Sequence, residues 1–379
     1  MTNRRVLFIV PSLRRAGAES QVVQLVNGLS GGQFDKHLLT YLPDDALRTS
    51  VATESVTYHK LNREGRLDFA TARAIGKIID NNEIDIIHCT LHNALLYGVL
   101  GTRSARRNPA LVCAIHTTKA ASLKHALAVT LLYKHILKRC EQVWFMCHSQ
   151  AARWIEKMPF LEDHHHVVHN GINVEDFDPD LFVQAGRDFR DELGIPGNAK
   201  VICSVAGLRP EKLHQVLLQS FKSLTQELQE DCYLLLAGSG PLENKLKESA
   251  RLSGLRGCVI FLGEISDVRP LLAASDCKVL ASAAETFSMA MLEAMAMRVP
   301  VVSTRVGGAG EAIEDGRSGV LITPGDVNDL SGKLLKIFSD ETNLLEMGRL
   351  ARKTVVEDFS YLNMIEQSAR KLLEINVAA

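Results

Sequence analysis

Short runs rich in β-branched residues alternate with longer helical patterns along nearly the whole chain. This alternation is typical of parallel sheets covered on both faces, because parallel neighbours are joined by helical crossovers. The predicted strands are 6–10, 37–42, 84–89, 111–115, 143–147 and 167–169 in the first half, and 201–205, 233–237, 259–262, 278–281 and 301–304 in the second. The sequence therefore predicts an α/β fold with two Rossmann-like, doubly wound domains.

The segment 170–197 is rich in Asp, Gly and Pro and weak in periodicity, so we place the domain connection there. The expected domains are 1–185 and 186–358. An amphipathic helix at 359–379 suits packing on either domain, including back onto the N-terminal one. Ligands of doubly wound sheets bind outside the carboxyl ends of the strands, so we expect the two domains to face each other across a cleft lined by those loops.

Charge and cysteine usage limit the classes of function. The 379 residues carry 43 Lys and Arg against 44 Asp and Glu, which disfavours a globally basic nucleic-acid binder and an acidic disordered chain. No run approaches the roughly 20 apolar residues of a membrane span. The charged start leads directly into a strand, without a signal-peptide pattern, and the 8 cysteines form no CxxC pair. These features predict a cytoplasmic protein with reduced thiols.

Two glutamates, Glu285 and Glu293, follow the predicted strand 278–281. If a helix starts near Ser288, Glu285 lies in the loop and Glu293 in the second turn, so both can face the predicted cleft. The first amides of such a helix suit an anion. The alternative is that Glu285 only complements the helix dipole and Glu293 lies on a solvated face.

Other loops at strand ends add glycines and cations. Val306-Gly307-Gly308-Ala309-Gly310-Glu311 follows a strand and permits close backbone approach to a ligand. Arg209 and Lys212 follow the strand ending at Val205, and a guanidinium fork with an ammonium suits a diphosphate. Gly238-Ser239-Gly240-Pro241 lacks the third glycine of GxGxxG, which disfavours a dehydrogenase.

The ordered set of motifs resembles the retaining glycosyltransferases of family 4, also called glycosyl transferases group 1, which have the GT-B fold. The resemblance runs from Val6 to about Phe359. Its elements are Gly17-Ala18-Glu19, His169-Asn170-Gly171-Ile172, Leu208 to Lys212, Ala237 to Pro241, the Glu-x7-Glu element and Gly307-Gly308 with Glu311.

The resemblance implies roles for individual residues. It assigns Glu285 and His116 to the sugar of the donor as catalytic residues. It assigns Gly17 to close contact, and Arg209 and Lys212 to the diphosphate. The remaining substrate-binding residues that we expect are Phe287, Ser288, Met289 and, on the nucleotide ribose, Glu293. The arginine usual at the start of the basic loop is absent, because Ala206-Gly207-Leu208 stands there.

We expect no metal site. Three consecutive side chains, His164, His165 and His166, cannot converge on one ion from regular backbone, so a surface turn is expected there. The acidic string 175–180 contains an Asp-x-Asp spacing, but its place in the domain connection predicts a solvated loop.

The stretch from Ile86 to Cys140 contains no Asp or Glu and eight cations. With leucines at helical spacing, 122–139 could bind an anionic membrane or a phosphorylated acceptor, or it could be an ordinary helix that covers the core. The sequence alone leaves both readings open.

The function predicted is metal-independent transfer of a hexose from a nucleotide diphosphate sugar, with UDP favoured, to a hydroxyl of a glycan or lipid-linked acceptor. Synthesis of polysaccharide, lipopolysaccharide or glycolipid at the inner face of the cell membrane would suit it. The alternatives are a nucleotide-sugar epimerase of the same fold and a non-catalytic nucleotide-sugar-binding protein. No nucleic-acid partner is expected.

Overall fold

The computed structural model describes residues 3–65, 67–116, 133–228 and 231–377. The chain forms two compact units. The first unit comprises Met1–Gly171 and Tyr361–Ala379, and the second unit comprises Ile172–Ser360.

The first unit is built on a parallel sheet with the order β3-β2-β1-β4-β5-β6-β7. Its strands are β1 (Arg4–Ile9), β2 (Phe34–Thr40), β3 (Val56–Lys60), β4 (Ile86–Thr90), β5 (Ala110–Ile115), β6 (Gln142–Phe145) and β7 (His165–Val167). Its helices include α1 (Gly17–Gly28), α2 (Phe69–Asn81), α3 (His92–Ser104) and α4 (His148–Lys157). Most residues of the central strands β1, β4 and β5 are apolar and buried, as expected for a sheet with helices on each side.

The second unit has a parallel sheet with the order β10-β9-β8-β11-β12-β13. Its strands are β8 (Lys200–Val205), β9 (Cys232–Ala237), β10 (Val259–Gly263), β11 (Cys277–Leu280), β12 (Val301–Thr304) and β13 (Val320–Ile322). Its helices are α5 (Val183–Glu192), α6 (His214–Glu227), α7 (Glu243–Leu252), α8 (Arg269–Ala273), α9 (Met289–Ala296), α10 (Ala309–Ala312), α11 (Val327–Phe338) and α12 (Glu341–Asp358). Short 3-10 turns lie at Arg48–Ser50, Pro159–Leu161, Pro179–Leu181 and Pro210–Lys212.

Side-chain caps fix the starts of several helices. Asp68 accepts hydrogen bonds from the amides of Ala70 and Thr71 at the start of α2. Ser288, Asp326 and Asp340 cap α9, α11 and α12 in the same way. Each cap satisfies amides that have no partner within their own helix.

The segment 172–185, assigned from composition to the N-terminal domain, belongs to the second unit. The amide of Ile172 donates to the carbonyl of Phe359 at 3.0 Å. Asp180, in the acidic string expected to be a solvated loop, is exposed but accepts two hydrogen bonds from Arg298, at 2.8 and 3.1 Å. These pairings join residues far apart in sequence, so local composition does not reveal them.

The C-terminal helix α13 (Tyr361–Leu373) belongs to the first unit and packs against α1. The hydroxyl of Tyr361 donates to the carbonyl of Gln24 at 3.2 Å.

Only His164 lies in the surface turn expected at the histidine run, where it is exposed. His165 and His166 lie in β7, which pairs with β6. Successive side chains of a strand point to opposite faces, so the run cannot gather around one ion.

Most of the basic stretch, 117–132, lies outside the described residues. Of its described part, Ile136 and Leu137 are buried in the core of the first unit, whereas Lys134, Lys138 and Arg139 are exposed. Acids from outside the stretch lie near two of its arginines: Asp80 accepts hydrogen bonds from the backbone amides of Arg106 and Arg107, and the Arg107 guanidinium donates to Asp85. Within the described ranges, no helix is both long and apolar enough to cross a bilayer.

Candidate functional site

Four loops at the carboxyl edge of the second sheet follow neighbouring strands β9, β8, β11 and β12, and hydrogen bonds tie them together. The amide of Leu208, after β8, donates to the carbonyl of Ser239, after β9, at 2.8 Å. The amide of Ala283, after β11, donates to the carbonyl of Glu211 at 2.8 Å. The loops therefore form one braced surface.

The loop after β12 supports the loop that carries Glu285. Gly307 has a φ of +56°, and a Cβ there would overlap the carbonyl oxygens of Glu285 and Thr286. The amide of Gly308 donates to the Thr286 carbonyl at 2.7 Å. The conformation and the close approach both require a glycine at 307.

Two predicted site residues meet in this surface. The ammonium of Lys212 forms an ion pair with the carboxylate of Glu285, and both side chains are partly exposed. The hydroxyl of Ser282 donates to Glu285 Oε1 at 2.8 Å. The Glu285 carboxylate is thus fixed by Lys212 and Ser282 while remaining partly exposed to solvent.

Helix α9 begins directly after this loop. The Ser288 hydroxyl accepts a hydrogen bond from the amide of Met291 at 3.3 Å and so caps the helix. As in any α-helix, the first backbone amides have no acceptor within the helix itself. Met289 is the first helical residue and Glu293 lies in the second turn. The Phe287 ring is buried and packs on Phe359 with centroids 5.2 Å apart, so its side chain serves packing.

Sequence reasoning missed Lys278, which is fully buried in the middle of β11. Burial lowers the pKa of its ammonium, and Glu293 and Glu285 oppose that shift. Burial also raises the pKa of the Glu293 carboxyl, and Lys278 opposes that shift. A lysine inside an apolar strand is the signal that could have found it, since buried lysines are rare unless paired.

Arg209 is exposed at the start of the basic loop, and within the part of the chain that the structure describes it has no ion-pair partner. Lys212 is followed by Leu213, which has a left-handed backbone with φ 49° and ψ 37°. A non-glycine residue in this region is uncommon and reverses the chain sharply between the 3-10 turn and α6.

The other two predicted residues belong to the first unit. Gly17 begins α1, where Arg14 pairs with the buried carboxylate of Glu19 at 2.7 Å. His116 directly follows β5, and burial lowers its pKa to about 4, so its imidazole is neutral at pH 7. It lines a cavity of about 30 Å³ together with His88, Trp144 and Asn170.

Comparison with known proteins gives the family. The family model for glycosyltransferase family 4 matches residues 15–176, and that for glycosyl transferases group 1 matches residues 186–354. This chain belongs to the family 4 glycosyltransferases with the GT-B fold. The predicted family and the predicted pair of Rossmann-like domains are both confirmed.

Individual relatives agree. N-acetyl-alpha-D-glucosaminyl L-malate synthase of Bacillus anthracis is 27% identical over 79% of this chain and 77% of its own length. The UDP-Gal:alpha-D-GlcNAc-diphosphoundecaprenol alpha-1,3-galactosyltransferase of Escherichia coli is 25% identical over 79% of this chain and 78% of its own. The crystal structure of Anabaena HepE in complex with UDP shares the fold, with a TM-score of 0.84 at 21% identity over 98% of this glycosyltransferase and all of HepE.

Proposed function

We propose that this glycosyltransferase moves a hexose from a nucleotide diphosphate sugar, with UDP preferred, to a hydroxyl acceptor with retention of the anomeric configuration. The observation that carries the proposal is the cluster of Lys212 and Glu285 beside the start of α9. A carboxylate suits sugar hydroxyls, while an ammonium and helix amides suit phosphate oxygens.

In this proposal, different residues of the second unit bind different parts of the donor. Glu285 accepts hydrogen bonds from the sugar, and Glu293 from the ribose. Lys212 and the exposed Arg209 bind the diphosphate together with backbone amides of Ser288 and Met289. Gly17 and His116 act from the first unit, His116 on the donor sugar as the family resemblance implies.

Catalysis in this proposal is electrostatic. Negative charge grows on the diphosphate as the glycosidic bond breaks, and fixed cations and amides stabilise that charge more in the transition state than in the ground state. The neutral His116 imidazole can hold a sugar hydroxyl but adds no charge of its own.

The donor set also supports a metal-independent reaction. Lys212 already forms an ion pair with Glu285, and the Lys278 ammonium favours the ionised form of Glu293. A divalent cation would compete with both ammoniums for these carboxylates, whereas an anionic diphosphate would not.

We further propose a glycan or lipid-linked acceptor, with the protein in the cytoplasm and at the inner membrane surface. The E. coli relative is named for a galactosyl transfer to a diphosphoundecaprenol-linked GlcNAc, which supports a lipid-linked acceptor. The exposed cations Lys134, Lys138 and Arg139 support binding to anionic lipid.

A donor screen tests the function. The protein is incubated with UDP- and GDP-hexoses, and release of nucleoside diphosphate and of free or transferred sugar is measured. We expect slow hydrolysis of one UDP-sugar, with the α-anomer released first from an α-linked donor. Isomerised nucleotide sugar without sugar release would indicate the epimerase instead, and no turnover of any donor would contradict the proposal.

A further inference from the structure

The most unusual group of the second unit that the proposed reaction does not use is Lys278. It occupies the centre of the sheet, in register with Cys203 on β8 and Val301 on β12. Its side chain has no exposed surface, and among the described residues its ammonium has no hydrogen-bond partner. An unpartnered charge in such a place is costly unless another charge compensates it.

The charged groups around Lys278 are those of the donor site. Its electrostatic neighbours are the thiol of Cys203 on β8, the carboxylates of Glu285 and Glu293, and the ammonium of Lys212. Glu293 lies on α9 and Glu285 on the loop before it, so both carboxylates of the Glu-x7-Glu element are electrostatic neighbours of Lys278.

This placement matters when the donor binds. Lys212 pairs with Glu285, yet in the proposed reaction the same ammonium binds the diphosphate. When the Lys212 ammonium binds the diphosphate, it is shared between the phosphate oxygens and Glu285. Lys278 is then the cation that remains for the two carboxylates, because it is buried in the strand and cannot turn toward the ligand.

We propose that Lys278 is a positioning residue of the donor site, whose buried ammonium compensates the charge of the Glu293 carboxylate so that this carboxylate accepts hydrogen bonds from the ribose. The identity of the ligand in this inference rests on the proposed function, whereas the electrostatic interaction between Lys278 and Glu293 does not. Lys278 acts through the carboxylates and does not touch the donor.

Lys278→Met tests this, because methionine retains length and apolar packing without the charge. Without this cation, the partly buried Glu293 carboxyl binds a proton more readily, so the pKa of that carboxyl should rise. We expect UDP affinity at pH 6.5 to fall at least tenfold relative to wild type and the difference to shrink as the pH rises to 8.5. Expressing the loss relative to wild type cancels the ionisation of the UDP phosphate itself.

Two double variants identify the titrating group. Lys278→Met/Glu293→Gln should lose the pH-dependent part of the difference, whereas Lys278→Met/Cys203→Ala should keep it. The matched control is Lys200→Met, because Lys200 is another buried strand lysine of the same unit, paired with Glu341 instead of the donor carboxylates. UDP affinity of Lys200→Met should equal that of wild type at every pH.

A stability cycle separates this inference from the proposed function. Glu293→Gln leaves the buried ammonium with less compensation and should lower the melting temperature, and adding Lys278→Met should restore most of the loss. If the two substitutions are coupled in stability but the wild type does not bind UDP, the interaction between Lys278 and Glu293 stands and the donor assignment is contradicted. UDP binding by the wild type with no coupling, and equal affinity for Lys278→Met across the pH range, would overturn the role of Lys278.

Discussion

At the scale of single residues, burial determines which groups of this glycosyltransferase carry charge. Glu285 is accessible and held by Lys212 and Ser282, so it can exchange these partners for a sugar. Lys278 is fully buried, and burial lowers the pKa of its ammonium. His88 is buried between the rings of Phe8 and Trp144, where burial lowers its pKa to about 3.

Glu285→Gln should lower turnover at least tenfold, about 1.4 kcal/mol of barrier, because the amide cannot match a carboxylate on the sugar hydroxyls. Affinity for free UDP should remain near that of wild type, since free UDP lacks the transferred hexose that Glu285 is proposed to contact. The control is Glu314→Gln, an exposed glutamate paired with Arg317. An equal loss of UDP affinity and turnover would mean that Glu285 does not serve the sugar.

Acid stability reports on the buried histidines. The folded-state pKa of His88 lies below the unfolded value near 6.5, so the unfolded chain binds the proton first as the pH falls. The free energy of unfolding should therefore fall by about 1.4 kcal/mol per pH unit for this residue between pH 6 and 4.

His88→Phe removes this loss, and the larger ring can extend into the adjoining cavity of about 30 Å³. Urea unfolding at pH 7.5 and 4.5 measures the effect. The variant should lose less stability on acidification than wild type, while His135→Gln, at an exposed position, should behave like wild type. An unchanged pH dependence in His88→Phe would show that His88 titrates alike in both states.

At the scale of elements, the proposed donor site consists of loops at one sheet edge that are joined by hydrogen bonds and close backbone contacts. Gly307 lies against the backbone of residues 285 and 286, and Thr304 donates from its hydroxyl to the carbonyl of Ser282 at 2.6 Å. The position of Glu285 therefore depends on the next strand and turn as well as on its own loop.

Gly307→Ala tests this dependence. The left-handed backbone and the overlap with two carbonyls should lower stability by about 1–3 kcal/mol and reduce turnover, because the loop must move. Gly310→Ala is the matched control, since its Cβ would meet only Leu321 at 3.9 Å, an ordinary contact. Equal stability and turnover in both variants would contradict the bracing role of Gly307.

The sequence predicts this site where local rules suffice. Parallel strands bring their carboxyl ends to one edge, which is why Lys212 and Glu285, 73 positions apart, could be expected together. The predicted strand 278–281 contains Lys278, but the strand pattern cannot show which charged groups lie near its ammonium. Nor can composition show that Ile172 joins Phe359, because that hydrogen bond is non-local.

At the scale of the whole molecule, most of the proposed donor residues lie on the second unit, whereas the exposed cations Lys134, Lys138 and Arg139 lie on the first. The first unit includes the C-terminal helix α13, which returns to pack on α1. Membrane binding and nucleotide binding can therefore be tested with substitutions in different units.

Neutralising Lys124, Lys134, Lys138 and Arg139 together should reduce cosedimentation with anionic vesicles while sparing donor hydrolysis, because each cation near such a membrane contributes about 1 kcal/mol. A set of four exposed cations of the second unit provides the control: Lys247, Arg251, Arg349 and Lys353. If wild type ignores anionic vesicles at low salt, the stretch 122–139 only covers the core and the acceptor is a soluble molecule.

Calorimetric titration of UDP into wild type, Lys212→Ala and Lys247→Ala tests the central claim, that the braced loops of the second unit bind the donor nucleotide. Lys247 is the control because it is an exposed lysine of the same unit that pairs with Glu243 on α7. We predict that Lys212→Ala weakens UDP binding at least tenfold at low salt, that the loss shrinks as salt screens the charge, and that Lys247→Ala binds like wild type. Tight UDP binding by wild type that Lys212→Ala leaves unchanged would place the nucleotide elsewhere and contradict the account.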